Sequence, residues 1–153
     1  MFGGRREGSV RRTLPIPGAD VSHPPRLTLS APVLDAPDPY ALAAFYQRLL
    51  GWTVVQKDAG WVKLRPPGGG TGLSFQAEPL HARPVWPAVA GEQQIQAHLD
   101  IEVDDLDSAS RHAEEAGAVL ADVQPDDDVR VFRDPVGHPF CLFLREPESP
   151  TEL

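Results

Sequence analysis

The chain writes one short phrase twice. DPYALAAFYQRLLG runs from Asp38 to Gly51, and DDLDSASRHAEEAG runs from Asp104 to Gly117. Both open on aspartate, close on glycine and carry apolar residues at helical spacing between. An aspartate side chain accepts from the free N–H groups of a first helical turn, and a glycine takes the left-handed backbone that ends a helix. Pro39 sits at a first helical position, where its missing N–H costs nothing. Leu42, Phe45, Tyr46, Leu49 and Leu50 form one stripe; Leu106, Ala109 and Ala113 form a shorter one behind a cap at Asp104 or Asp105. Each segment is preceded by one strand-like run and followed by several. Two such units tend to pack face to face around a cleft, which is where chemistry is to be sought.

The flanking runs fill in the plan. Arg26 to Leu34, Trp52 to Asp58, Trp61 to Pro66 and Gly72 to Glu78 alternate as strands, broken by Ala59-Gly60 and by Pro67 to Gly70. Residues 79–93 carry Pro79, Pro84 and Pro87 without periodicity and read as a linker. Gln94 to Val103, Ala118 to Val123, Val129 to Asp134 and Pro139 to Leu144 are the strands of the second unit, with a tight turn at Asp134-Pro135-Val136-Gly137. The order βαβββ, linker, βαβββ predicts an α+β fold: two curved mixed sheets with a central cleft and the helices outside. The domain then spans 26–146, with modules 26–78 and 94–146. Residues 1–25 are expected to be a flexible arm and 147–153 a tail.

Composition narrows the function. The net charge of −8 disfavours nucleic acid as a partner, since phosphate binding calls for a basic surface. One cysteine, Cys141, excludes an internal disulfide and a cysteine-rich zinc site. No apolar run approaches the roughly 18–20 residues of a membrane span, and no apolar segment follows the N-terminal arginines as in a secretory signal. A soluble, cytoplasmic protein without a membrane partner is expected. The glycines at 68–70 lack a following Lys-Ser/Thr and open no helix, so they are a turn rather than a phosphate loop.

Alternation along the strands nominates the cleft residues. His98, Asp100 and Glu102 share a face, while Leu99, Ile101 and Val103 turn to the helix. His98 can serve as base, ligand or hydrogen-bond donor, or as a structural imidazole. Cys141 points the same way, as a small apolar filler or as a thiolate if His98 supplies a cation. Gln76 offers an amide to a carbonyl ligand, and Trp61 and Trp86 offer aromatic walls. Trp52 is expected in the core, His138 in a loop role, and His81 and His112 facing solvent.

The segments DAPDPYALAAFYQRLLGW, LSFQAEP, HLDIEVDDLD and DPVGHPFCLFL together resemble the vicinal oxygen chelate superfamily, that of glyoxalase I, bleomycin-resistance proteins and extradiol dioxygenases. The resemblance covers about Arg26 to Glu146. It implies paired βαβββ modules, a small-molecule partner and room for a homodimer. In metal-dependent members one residue from each of four strands ligates a divalent ion: His or Gln on the first strands, Glu on the last. Carried onto this chain, those positions hold His98, Cys141, Gln76 (or Ser74 in a shifted register) and Ser30, beside Ala31 and Pro32. A carboxylate-poor set of this kind disfavours a catalytic Zn, Fe, Mn or Ni ion, although His98, Cys141 and Gln76 are the residues that would hold one. The expected function is a small-molecule binding protein without a full metal site, taking a hydrophobic or aromatic ligand among Trp61, Gln76, Trp86, His98 and Cys141; antibiotic sequestration is one version. The alternatives are a glyoxalase-like lyase or isomerase with His98 and Asp100 catalytic, and a dimeric interaction module with a vestigial cleft.

Overall fold

The Asp38 carboxylate accepts from the backbone N–H groups of Tyr40 and Ala41 at 3.0 and 3.1 Å, and helix α1 runs from there over Pro39–Leu50. Gly51, at φ 69°, ends it in the left-handed region. Asp105 repeats the device for α2 (Leu106–Ala116), accepting from Ser108 N at 2.6 Å, and Gly117 ends that helix at φ 113°. The structure, a computed structural model, describes residues 24–145. The expected tail and all but the last two residues of the expected arm lie outside them.

The described residues form eight strands besides the helices: β1 (Val33–Ala36), β2 (Thr53–Asp58), β3 (Trp61–Arg65), β4 (Leu73–Ala77), β5 (Leu99–Val103), β6 (Val119–Leu120), β7 (Val129–Arg133) and β8 (Pro139–Leu144). They form two four-stranded sheets, ordered β1-β4-β3-β2 and β5-β8-β7-β6. In each, the first and last strands of the module pair in parallel and the other neighbours run antiparallel. The fold is therefore the α+β pair of βαβββ modules that the doubled phrase predicts. Among the described residues, no helix is long and apolar enough to cross a membrane.

Three strands differ from expectation. The first begins at Val33 rather than Arg26: Leu27 and Leu29 are 87% and 72% exposed, so their alternation faces water. Pro32 has no N–H to donate, although the Ser30 and Pro32 carbonyls accept from Gly72 N and Ser74 N, so the segment still runs along β4. β5 starts at Leu99 rather than Gln94, and β6 keeps two residues where Ala118 to Val123 alternate.

The alternate residues meet in one core shared by both modules. Phe45, Tyr46, Phe75, Phe132 and Phe140 are wholly buried in a single apolar cluster. The Tyr46 ring stacks on Phe75 at 5.4 Å and sits 6.4 Å from Phe140, while Phe45 lies 6.2 Å from Phe140. Each such ring contributes about 1.5–3 kcal/mol by leaving water. Helix α1 thus belongs to both halves: it covers β3 and β4, touches α2, and Arg48 Nη2 donates to the Ala116 carbonyl at 3.0 Å. Trp52 packs at the margin of the cluster, half-buried.

Candidate functional site

The strand registers decide which side chains share the faces turned away from the helices. On the second sheet Asp100 pairs with Cys141, which pairs with Val131. The donor atoms of His98, Asp100 and Cys141 lie within 4.8 Å of one another. His98 Nε2 is 3.1 Å from Asp100 Oδ1, with the two side chains 44% and 62% exposed, so the pair is open to solvent. Burial first, and then the neighbouring Asp100 carboxylate, push the Cys141 thiol above its ordinary value. Both causes disfavour the thiolate alternative and favour Cys141 as a small apolar filler.

On the first sheet Asp35, Gln76 and Trp61 stand side by side, as do Val33, Ser74 and Lys63. The two modules superpose along the chain, since the interval from Asp38 to Asp105, the two helix caps, also carries Val33 to Asp100 and Ser74 to Cys141. The parallel pairings Val33–Ser74 and Asp100–Cys141 confirm that correspondence. The counterpart of Cys141 is therefore Ser74 and not Gln76, and the counterpart of His98 is Ala31 and not Ser30. Gln76 lies two residues further along β4, exposed. Ser30 is instead the hydrogen-bond partner of the Lys63 ammonium.

This correspondence tests the metal that the resemblance implies. At the places of His98, Asp100 and Cys141 the first module has Ala31, Val33 and the buried Ser74. Alanine and valine have no donor atom, and a neutral serine hydroxyl is a poor one. A centre built from both modules does not fit these residues; the remaining donors, His98, Asp100 and Cys141, all come from the second module.

A second constellation lies at the turn before β8. The wholly buried Asp134 side chain takes four hydrogen bonds: Oδ1 accepts from Val136 N and His138 N, both at 3.0 Å, and Oδ2 accepts from Tyr46 Oη at 3.0 Å and His138 Nδ1 at 2.9 Å. Burial first, and then the charge and hydrogen bond of Asp134, raise the Tyr46 phenol well above its ordinary range. Gly137 makes the turn at φ 95°, and a side chain there would collide with Arg83. His138 thus has the structural turn role expected of it. His81, expected to face solvent, is half-buried, with Nε2 2.9 Å from the Val136 carbonyl and its ring 4.9 Å from that of His138. His112 is exposed, as expected, with Nε2 3.0 Å from the Leu49 carbonyl.

His81 and His138 line a cavity of about 370 Å3 on the seam between β1, the two ends of the linker and the start of β8. None of Trp61, Gln76, Trp86, His98 or Cys141 lines it. Trp86 lies within the linker, half-buried, its carbonyl accepting from Arg133 Nη2 at 3.2 Å. A second, larger hollow of about 620 Å3 lies at the far end of β5 and β8 between Glu102, Asp126 and Asp128, where Arg145 Nε meets Glu102 Oε1 at 2.8 Å. Alternation finds the residues of the sheet faces; it has no signal for His81, which the linker folds back onto the turn.

The sheet order and the paired modules define a vicinal oxygen chelate architecture, and residues 31–143 match the model of the glyoxalase-like domain. The chain belongs to that glyoxalase-like family. Its fold is similar to that of a glyoxalase/bleomycin resistance protein/dioxygenase family enzyme from Burkholderia phytofirmans PsJN (TM-score 0.58, 19% identity, covering 77% of this chain and 98% of that one). It is also similar to a glyoxalase/bleomycin resistance protein/dioxygenase from Nocardioides (TM-score 0.56, 19% identity, 86% and 93% covered). A third similar structure is TnmS3, an antibiotic binding protein from Streptomyces sp. CB03234 (TM-score 0.56, 18% identity, 81% and 100% covered). No curated protein matches the chain in sequence.

Proposed function

We propose that the chain is a small-molecule binding protein that holds a hydrophobic or aromatic ligand between its modules without a full catalytic metal site. The observation that carries this reading is the asymmetry of the sheet faces: an intact shared core, with Ala31, Val33 and Ser74 where the second module has His98, Asp100 and Cys141. Trp61 and Gln76 supply an aromatic surface and an amide from the first sheet, His98 and Cys141 supply polar contacts from the second, and Trp86 contributes from the linker. Similarity in fold to an antibiotic binding protein favours sequestration as the biological form of that binding. Native mass spectrometry of protein purified without a metal-affinity step tests the reading. A bare mass or an organic adduct supports it; one divalent ion per chain overturns it.

One contact favours a second reading, a lyase or isomerase. Asp100 orients His98 at 3.1 Å, and a carboxylate-held imidazole can move a proton next to a carbonyl. Turnover of a carbonyl or thiol-adduct substrate that His98→Ala abolishes without loss of fold would establish it.

A further inference from the structure

We infer that the seam cavity, which meets the first sheet's open face at Val33 and Asp35 but is lined by none of Trp61, Gln76, Trp86, His98 or Cys141, is a second binding site, and that it takes a small organic amine. The argument begins with the two imidazoles. A carbonyl oxygen only accepts, so His81 donates to Val136 from Nε2, which in the neutral ring leaves Nδ1 to accept. His138 donates from Nδ1 to Asp134, a carboxylate that already accepts three other hydrogen bonds, which in the neutral ring leaves Nε2 to accept. The buried Asp134 fixes this tautomer and the ring's orientation, as carboxylate partners of functional histidines do. His81 and His138 both line the cavity, and each ring in its neutral form has one nitrogen left to accept a hydrogen bond.

The other charged groups have the same preference. Asp35 from β1 and Glu78 from the end of the first module line the cavity, and no lysine or arginine does so among the described residues. The Asp35 side chain is exposed; Glu78 is half-buried, with one carboxylate oxygen accepting from Leu80 N at 2.8 Å. Two carboxylates and two imidazole acceptors around one hollow select a ligand that brings N–H donors and positive charge, and they repel a carboxylate or phosphate. Leu34, Ile95 and Pro139 line the same hollow and suit an apolar body. The volume of about 370 Å3 lies at the small end of the range of ligand sites, roughly 300–1,000 Å3. The ligand class is therefore a compact amine with a hydrocarbon or aromatic body.

Phenethylamine and 3-phenylpropionate share a body and differ in the sign of their charge, so they separate this proposal from simple hydrophobic uptake. Each is titrated into the full chain at neutral pH by calorimetry, with the histidine ring signals followed by NMR. Saturable binding of the amine, none of the acid, and movement of the His81 and His138 signals while those of His98 stay fixed are expected. The double variant Asp35→Asn, Glu78→Gln, which keeps the shape of both side chains, should weaken amine binding about tenfold. Equal binding of amine and acid, no binding of the amine, or an unchanged affinity in the double variant would overturn the proposal. So would movement of the His98 ring alone, which would instead place the amine at the sheet-face site proposed above; failure of the seam site therefore leaves that reading standing.

Discussion

Tyr46 of the first module donates its phenolic hydrogen bond to Asp134 of the second, across 88 positions of sequence and wholly inside the protein. The helix of one half is thereby fastened to the turn of the other at the carboxylate that also orients His138.

That bond gives stability a pH dependence at the alkaline end. Burial, the Asp134 charge and the hydrogen bond raise the Tyr46 value in the folded chain above 10.0, the ordinary value it recovers on unfolding. Below that pH both states keep the proton and the stabilisation is fully present. Above it the unfolded chain loses a proton that the folded chain retains, so stability falls by up to about 1.4 kcal/mol per pH unit. Tyr46→Phe should flatten this alkaline decline. At neutral pH it should cost about 1.5–3 kcal/mol, the range for a hydrogen bond to a charged partner. Urea unfolding from pH 7 to 11 measures both; an equally steep decline in the variant would assign the alkaline loss to other groups.

Cys141 should be a slow nucleophile. Its thiol is raised by burial and by Asp100, so at pH 8 it is largely protonated. Asp100→Asn removes the negative charge, lowers the thiol towards its ordinary value and should speed alkylation by iodoacetamide at that pH. An unchanged rate would mean that burial alone sets the reactivity.

Phe140 joins the two aromatic groups of the core, lying 5.7 Å from Phe132 and 6.2 Å from Phe45. Phe140→Ala should cost about 3–5 kcal/mol, because the buried ring leaves a cavity that neighbours on two modules cannot both close. The shift in urea midpoint at constant slope measures this cost.

Both helices were legible in the sequence from their ends, since an aspartate cap and a terminal glycine act through bonds only a few residues long. The strands of both sheets were legible by alternation, but their limits were not: Leu27 and Leu29 alternate as a strand does and yet face water. Identifying Ser74 rather than Gln76 as the counterpart of Cys141 needed the cap of α2 fixed at Asp105 rather than Asp104, and the parallel pairing of β1 with β4, a contact between segments about forty residues apart, confirms it. His98, Asp100 and Cys141 do come together, as one face of neighbouring strands requires. The Asp134–His138 contact sat within a recognisable turn, but the cavity beside it depends on how the linker returns, and an aperiodic, proline-rich segment carries no signal of its path.

The doubled phrase suggests two building blocks, yet their cores are not separable. The apolar cluster runs from Ala36 to Leu142 without a break, and α1 keeps one side of it in each module. Neither half can therefore shed its partner without exposing Phe45, Tyr46 or Phe140 to water. A chain that repeats itself in sequence should melt as a single unit, with one transition rather than two.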